Sequence, residues 1–152
     1  MTIDERLKEL GISLSDAPKP MGSYVPCVQS GNLLFLSGVL PLRNGHLIKT
    51  GRVGEALSLD EAREASRQVI INTLSLLKSH LGSLDKIRCV KLNGYVASAE
   101  SFTDQPKVLN AASELLFDIF GEAGRHARAA IGVYSLPLNS PIEIDFIFEI
   151  KN

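Results

Sequence analysis

The sequence is poor in the residues that would mark a disulfide, redox or metal site. Its 152 residues include only two cysteines and three histidines, and they lack tryptophan. Cys27 and Cys89 lie far apart and form no C-x-x-C pair, so the sequence predicts no disulfide framework. The histidines have neither the i, i+4 helical spacing nor the cysteine partners that zinc sites use. We therefore predict no metal site.

An excess of one charge is also missing. Lysine and arginine together number 16 and aspartate and glutamate 17, which gives a formal net charge of -1. Binding to nucleic acid relies on a basic stripe or patch that attracts phosphates. We therefore expect no nucleic-acid partner.

No segment of the sequence is apolar over the length of a membrane span. The longest apolar run, within VIINTLSLL, is interrupted by polar residues, and MTIDERLKEL lacks the charged and apolar regions of a signal peptide. We expect a cytoplasmic protein without a membrane partner. With 45% hydrophobic residues and no shift in composition, residues 1–152 are predicted to form a single domain.

Turn and capping signals divide the first third of the chain. Thr2 and Glu5 have capping-box spacing and predict a short helix inside an N-terminal extension, residues 1–19. Two short strands are predicted in YVPCVQSGNLLFLSG, one on each side of its SGN turn. Further on, the pair Asn44-Gly45 in PLRNGHLI is typical of a β-hairpin.

Helices and strands alternate in the rest of the chain. SLDEAREASRQVIINTLSLLKSHLG begins with a Ser58/Glu61 capping box, and PKVLNAASELLFDIFG begins at a proline and ends at a glycine, so both predict helices. IRCVKLNGYVAS lies between them as a strand, and strands at Arg128–Leu136 and Ile142–Ile150 follow. The order β-β-β-α-β-α-β-β predicts an α+β two-layer sandwich with two main helices on one face of a mixed sheet.

The last strand has two different faces. Apolar side chains alternate along it with a second set that is mostly acidic: Glu143, Asp145, Ile147 and Glu149. If the apolar face covers the helices, the other face must keep Ile147 and the small residues around Arg128 away from water. We therefore expect copies of the chain to associate through that face.

Arg128 stands among small residues at the head of its strand. Alternation places it on one face with Ala130 and Gly132, which leaves space beside the guanidinium. The planar fork of a guanidinium suits a carboxylate or a phosphate. A structural ion pair at the end of a strand is the alternative interpretation.

Three segments together resemble the RidA/YjgF family, whose members also carry the label endoribonuclease L-PSP. ARAAIGVYSLPLNSPIEID fits the family motif A-R-x-x-[IV]-x-V-x-x-L-P followed by [IV]-E-[IV]-[DE]. GSYVPCVQSGNLLFLSGVLP is similar to an upstream motif that ends in SG-x-x-P, and VLNAASELLFDIFG to a motif of the second helix. The resemblance covers Pro20 to Glu149.

The resemblance implies a fold, an assembly and an activity. Family members have a chorismate-mutase-like (bacillus-type) fold, and three copies join their sheets into a homotrimeric barrel with a site in each intersubunit cleft. Members that keep the arginine hydrolyse 2-imino and 2-enamino acids to 2-oxo acids and ammonia. The chain is thus expected to be a 2-iminobutanoate/2-iminopropanoate deaminase-like hydrolase. Its expected partners are small 2-imino or 2-oxo acids, and no cofactor is implied.

The resemblance also implies roles for individual residues. Arg128 would bind the substrate carboxylate, while Glu143 and the backbone carbonyl of Gly38 would hold the attacking water. The other expected substrate-binding positions are Tyr24, Ser37, Asn110 and Ala130. The residues alone also allow structural roles. Ser37 could be a hydroxyl at a strand end that bonds to the backbone, and Asn110 an amide on the helix surface. Tyr24 could be a ring at the edge of the core.

The sequence departs from the family pattern at three places. Ala130 stands where many members carry a cysteine, His126 stands where proline is common, and a few extra residues precede Asn110. These departures point to a divergent subgroup.

Two other functions stay open on the sequence. A non-catalytic trimer could bind 2-oxo acids through Arg128, in which case Glu143 would have no water to position. A ribonuclease or translation inhibitor, an activity reported for some relatives, is disfavoured by the near-neutral charge and by the lack of a matched acid–base pair such as two histidines.

Overall fold

Five strands form one mixed sheet, and two long helices pack on one of its faces. A computed structural model describes residues 1–152. In chain order the elements are α1 (Ile3–Glu9), β1 (Cys27–Ser30), β2 (Leu33–Val39), β3 (Leu42–Arg43), β4 (His46–Leu47), α2 (Leu59–Leu81), β5 (Ile87–Ala97), α3 (Gln105–Phe120), β6 (Ala127–Val133) and β7 (Ile142–Ile150). The predicted α+β class is confirmed, and the predicted order differs only in that four strands rather than three precede α2, because the hairpin contributes both β3 and β4. None of the helices combines the length and the apolarity needed to cross a bilayer.

The predicted capping residues set the ends of the helices. The side chains of Thr2 and Ser58 each accept a hydrogen bond from the backbone N–H three residues later, and the glutamate there bonds back to the cap. These two capping boxes satisfy N–H groups that have no partner inside the helix. Helix α2 ends at Gly82, whose φ of 81° lies in the left-handed region that favours glycine.

The strands of the sheet follow the order β1-β2-β7-β5-β6, while β3 and β4 form a separate hairpin. Strands β5 and β6 are parallel, and the other neighbours are antiparallel. Between Leu36 and Val39 the register of β2 against β7 shifts, so that Ser37 and Gly38 together oppose Asp145. This two-against-one arrangement is a β-bulge, which re-aims side chains locally.

The core lies between the helices and one face of the sheet. Its fully buried side chains come from both layers: Leu34, Leu92, Ile142, Phe146 and Phe148 from strands, and Ile70, Leu74, Leu77, Leu109, Leu115 and Leu116 from helices. Alternate residues of β7 are therefore buried, as the sequence pattern predicts. The opposite, open face of the sheet carries large apolar side chains without cover, among them Phe35, Ile131 and the partly buried Ile147.

Strand β6 corrects two expectations. It ends at Val133 rather than Leu136, because its pairing with β5 stops there and the chain turns. Arg128 lies on the helix side of the sheet and reaches α3, whereas Ile147 lies on the open face. The expectation that both belong to one face is wrong, because the helix layer ends at this edge strand and a long side chain there reaches the helix.

Candidate functional site

All but one of the predicted site residues fall into two separate pockets. The arginine pocket is lined by side chains of α3, β6 and the turn between them: Asn110, Ser113, His126 and Arg128. The carboxylate pocket lies at the bulge of β2 and the start of β7 and includes Tyr24, Ser37, Gly38 and Glu143. Ala130 packs against the hydrophobic core and lines neither pocket.

Arg128 is held from one side of its guanidinium. Its Nη1 donates to Oδ1 of Asn110 at 2.9 Å and to Oγ of Ser113 at 3.1 Å. Asn110 and Ser113 are three residues apart on α3 and so share one face of the helix. A guanidinium has five N–H donors, and the donors of Nε and Nη2 have no protein partner. No carboxylate pairs with Arg128, so the structural ion pair is not present within the chain.

His126 completes a hydrogen-bonded chain behind Arg128. Its Nδ1 lies 2.7 Å from the carbonyl oxygen of Gly124, and its Nε2 lies 2.8 Å from Oγ of Ser113. A carbonyl only accepts, so we assign the proton to Nδ1, and Nε2 then accepts from the Ser113 hydroxyl. Burial, and then the charge of Arg128, lower the pKa of His126 below its ordinary value, which favours this neutral form. Ser113 is thereby oriented to accept from the guanidinium.

Glu143 lies against the backbone of the bulge. A Cβ at position 38 would lie 2.8 Å from the carboxyl carbon of Glu143, so only glycine allows the carboxylate to approach this closely. Glu143 and the backbone of Gly38 are therefore neighbours in the structure, and their role in holding a water stays a prediction.

The two hydroxyl groups of the carboxylate pocket are already engaged with the backbone. Ser37 donates from Oγ to the carbonyl of Val25 at 2.7 Å, which is the backbone-bonded alternative considered for it. Tyr24 accepts from the N–H of Met21 at 3.2 Å through its phenol oxygen and is 47% exposed. Both residues line the pocket beside Glu143, and Ser37 keeps free lone pairs that can accept.

A second carboxylate lies next to Glu143 on the open face. Asp145 accepts from Nδ2 of Asn93 and from the hydroxyl of Tyr95, both at 2.9 Å. Tyr95 is directly opposite Glu143 on the neighbouring strand. Burial, and then the negative charge of Asp145, raise the pKa of Glu143 above its ordinary value. A raised pKa suits a carboxyl that exchanges protons near neutral pH.

Sequence reasoning missed four of these residues. Asp145 and Tyr95 share a face with Glu143, so strict alternation along two paired strands was the available signal for them. Ser113 follows Asn110 at helical spacing, whereas nothing in the sequence shows that His126 would reach back to it.

The two pockets do not meet within one chain. On β5, Leu92 is opposite Arg128 and Tyr95 is opposite Glu143, so the two site residues are offset by three residues along the strands. They are also two strands apart, because β5 lies between β6 and β7. Strand spacing and rise per residue separate the two backbones by about 14 Å. The side chains also project from opposite faces of the sheet. A small ligand cannot touch both Arg128 and Glu143 of the same chain.

Comparison with protein families agrees with the fold. The sequence model of the family described as "YjgF/chorismate_mutase-like, putative endoribonuclease" matches residues 4–150. A crystal structure of a protein of unknown function from Agrobacterium tumefaciens is similar to the chain with a TM-score of 0.91 at 47% sequence identity. The match covers 98% of this chain and 92% of that one.

Curated relatives span nearly the whole chain. Protein TCP17 of Trypanosoma cruzi is 42% identical over 96% of this chain and 92% of its own. A 2-iminobutanoate/2-iminopropanoate deaminase of Dermatophagoides farinae is 29% identical over 92% of this chain and 95% of its own.

Proposed function

Since the chain belongs to the YjgF/chorismate-mutase-like family, we propose that it hydrolyses 2-imino and 2-enamino acids to 2-oxo acids and ammonia. The observation that carries the proposal is the partly buried Arg128, which has free N–H donors and no acidic partner in the chain. Such a group is suited to bind a carboxylate through two parallel hydrogen bonds. The relative from Dermatophagoides farinae that bears a deaminase name supports the same activity.

The proposed site is shared by two chains. The carboxylate and the reacting carbon of a 2-imino acid are bonded neighbours, so one substrate cannot bridge the two pockets of a single chain. Arg128 lies on the edge strand β6, so it can meet Glu143 of another copy if that edge lies against the neighbour's open face, which carries uncovered apolar side chains. We propose that the assembly is the homotrimer of the family, with one site in each cleft.

The proposed reaction needs only a placed water and proton transfers. Glu143 takes a proton from the water as the water oxygen bonds to the carbon of the protonated imine, and the C=N π electrons move to nitrogen, which gives a carbinolamine. Glu143 then gives this proton to the amino nitrogen and accepts the hydroxyl proton as the C=O bond forms and the C–N bond breaks to release ammonia, and it finally loses that proton to solvent. Arg128 keeps the substrate carboxylate fixed throughout, and the Gly38 carbonyl orients the water.

The direct test is a coupled assay with the purified full chain. A dehydratase generates 2-iminopropanoate from serine in a buffer free of amines, and release of pyruvate is followed with and without the chain. We expect faster release with the chain. If pyruvate appears at the rate of buffer alone, the chain is a binding protein and the hydrolase proposal is wrong.

Ligand binding should depend on Arg128. Pyruvate at 100 times its Kd should stabilise the native protein by about 2.7 kcal/mol, because a ligand that binds only the folded state shifts the unfolding equilibrium. Differential scanning fluorimetry would show this as a raised Tm. Arg128→Ala should remove the shift, whereas Arg67→Ala, which deletes an exposed arginine of α2, should keep it. An unchanged shift in Arg128→Ala would contradict the proposed anchor.

The pH dependence of kcat/KM should show the effect of the negative charge of Asp145 on the pKa of Glu143. Because Glu143 must be deprotonated to accept a proton from water, kcat/KM should fall as the pH drops through its pKa. Asp145 raises that pKa, so Asp145→Asn should lower it and move the acidic limb of the profile to lower pH. Asp104→Asn, at the start of α3 where the carboxylate pairs with Lys107, is the control and should leave the limb in place. If the acidic limb of the profile stays in place in Asp145→Asn, Glu143 is not the base whose titration produces it.

A further inference from the structure

A turn with an unfavourable backbone closes one side of the carboxylate pocket. Leu138 and Asn139 both have positive φ, 59° and 62°, and the N–H of Ser140 donates to the carbonyl of Pro137 at 3.0 Å. This is a type I′ turn, whose two central positions favour asparagine and glycine. Leucine in the left-handed region is strained, since its Cβ crowds the following carbonyl.

Neighbouring segments hold this turn in place. The N–H of Gly51 donates to the carbonyl of Asn139 at 2.8 Å. Arg52 donates from Nε to the carbonyl of Tyr134 at 3.0 Å, and its guanidinium lies 4.3 Å from the centre of the same tyrosine ring. The buried Ser140 donates to the carbonyl of Ile142 at 2.7 Å. A strained conformation that its surroundings fix on both sides is typical of functional sites.

The pocket beside the turn is a mostly apolar cavity with a carboxylate at one end. It has a volume of about 320 Å³. Its apolar walls come from the lead-in to β1, the end of β2, α2 and the turn: Pro20, Met21, Leu40, Leu42, Leu76 and Leu138. Glu143 is the only acidic residue of the lining and Lys19 the only basic one. Apolar walls with few polar groups favour a ligand whose apolar part is buried.

We propose that the carboxylate pocket selects 2-imino acids with aliphatic side chains longer than ethyl, and that Leu138 contacts the end of that side chain. The inference rests on the proposed function. With the reacting carbon beside Glu143, the side chain is the only part of such a substrate free to enter the apolar cavity. A methyl or an ethyl group would leave most of the cavity empty, and a charged side chain would lose its hydration there.

Equilibrium binding of a 2-oxo acid series tests the inference without turnover. Calorimetry with the full chain would give Kd for pyruvate, 2-oxobutanoate, 2-oxopentanoate and 2-oxohexanoate. Burial of each added methylene should tighten binding about fourfold. 2-Oxoglutarate should bind more weakly than 2-oxopentanoate, because a carboxylate would enter the apolar cavity. An equal Kd across the series would overturn the inference.

Two substitutions in the same turn separate the role of Leu138 from that of the turn. Leu138→Asn places a residue that tolerates positive φ at the same position, so the Tm should stay equal or rise while the gain per methylene falls below about twofold. Asn139→Gly relaxes the neighbouring position, which does not line the cavity, and should keep the full gain. A full gain in Leu138→Asn would overturn the assignment of Leu138.

The outcomes also distinguish this inference from the proposed function. If 2-iminopropanoate is hydrolysed but Kd is equal for all the 2-oxo acids, the deaminase proposal is supported and the preference for long side chains is wrong. If Kd falls with each added methylene but no imine is hydrolysed, the preference for long aliphatic side chains is supported and the deaminase proposal is wrong.

Discussion

Glu143→Gln should lower the turnover of 2-iminopropanoate by about 10²- to 10⁴-fold, the range for loss of a well-placed general base. Glutamine keeps the shape of the side chain and its fit against Gly38. It cannot take the proton of the attacking water, so only the steps after binding are slowed. The Kd for pyruvate should change little, because the anchor of the carboxylate is Arg128. Steady-state kinetics and calorimetry on the same preparation check both parts.

A matched control is available on the same strand and face. Glu149 is six residues further along β7, where it bonds to Arg88 and lies outside the lining of the carboxylate pocket. Glu149→Gln should turn over imine at the wild-type rate. If Glu143→Gln is as fast as the wild type, another group activates the water. If both variants slow equally, the loss reflects the electrostatics of the open face.

Mixing two inactive variants should restore about one quarter of the wild-type activity. Arg128→Ala lacks the anchor and Glu143→Gln lacks the base, so each alone should retain less than about one hundredth. Co-expression at equal levels assembles copies at random. If each site takes its arginine from one chain and its glutamate from a neighbour, half of the chains supply a good arginine and half of their neighbours a good glutamate.

The expected quarter does not depend on how many chains close the ring, so it tests the shared site separately from the homotrimer. Light scattering on the same sample gives the number of copies. Activity in the mixture no higher than the average of the two variants would show that each chain carries a complete site. A second mixture, of Glu143→Gln with Asp145→Asn, provides the control, because both changes lie on the same face of β7 and neither touches the arginine pocket. It should recover only the activity that Asp145→Asn contributes alone.

Local signals in the sequence predict the elements of the fold well. Capping at Thr2 and Ser58, and a hairpin at Asn44-Gly45, depend on neighbouring residues in the chain, and the structure has each of them. Alternation along β7 gives the correct buried set. Alternation could not predict the face of the sheet from which Arg128 projects, because it defines two faces of an edge strand without saying which one meets a helix.

The finer geometry of the candidate site depends on contacts between distant segments. The bulge at Ser37 and Gly38 exists only because β2 pairs out of step with β7. The link from Arg128 to His126 passes through a serine of a different element. The strained φ of Leu138 reflects hydrogen bonds from residues far away in the chain. None of these leaves a pattern in the amino-acid order.

The position of β7 in the sheet bears on how the protein is made. This strand lies between β2 and β5, yet it follows every other strand of the sheet along the chain. During synthesis the ribosome releases β2 and β5 before the strand that joins them exists, so the backbone N–H and C=O groups along their facing edges have no partner. Long-range pairing of this kind is slow and leaves nascent chains prone to aggregation. We expect the sheet to close only after translation has passed β7, with chaperones shielding the earlier strands until then.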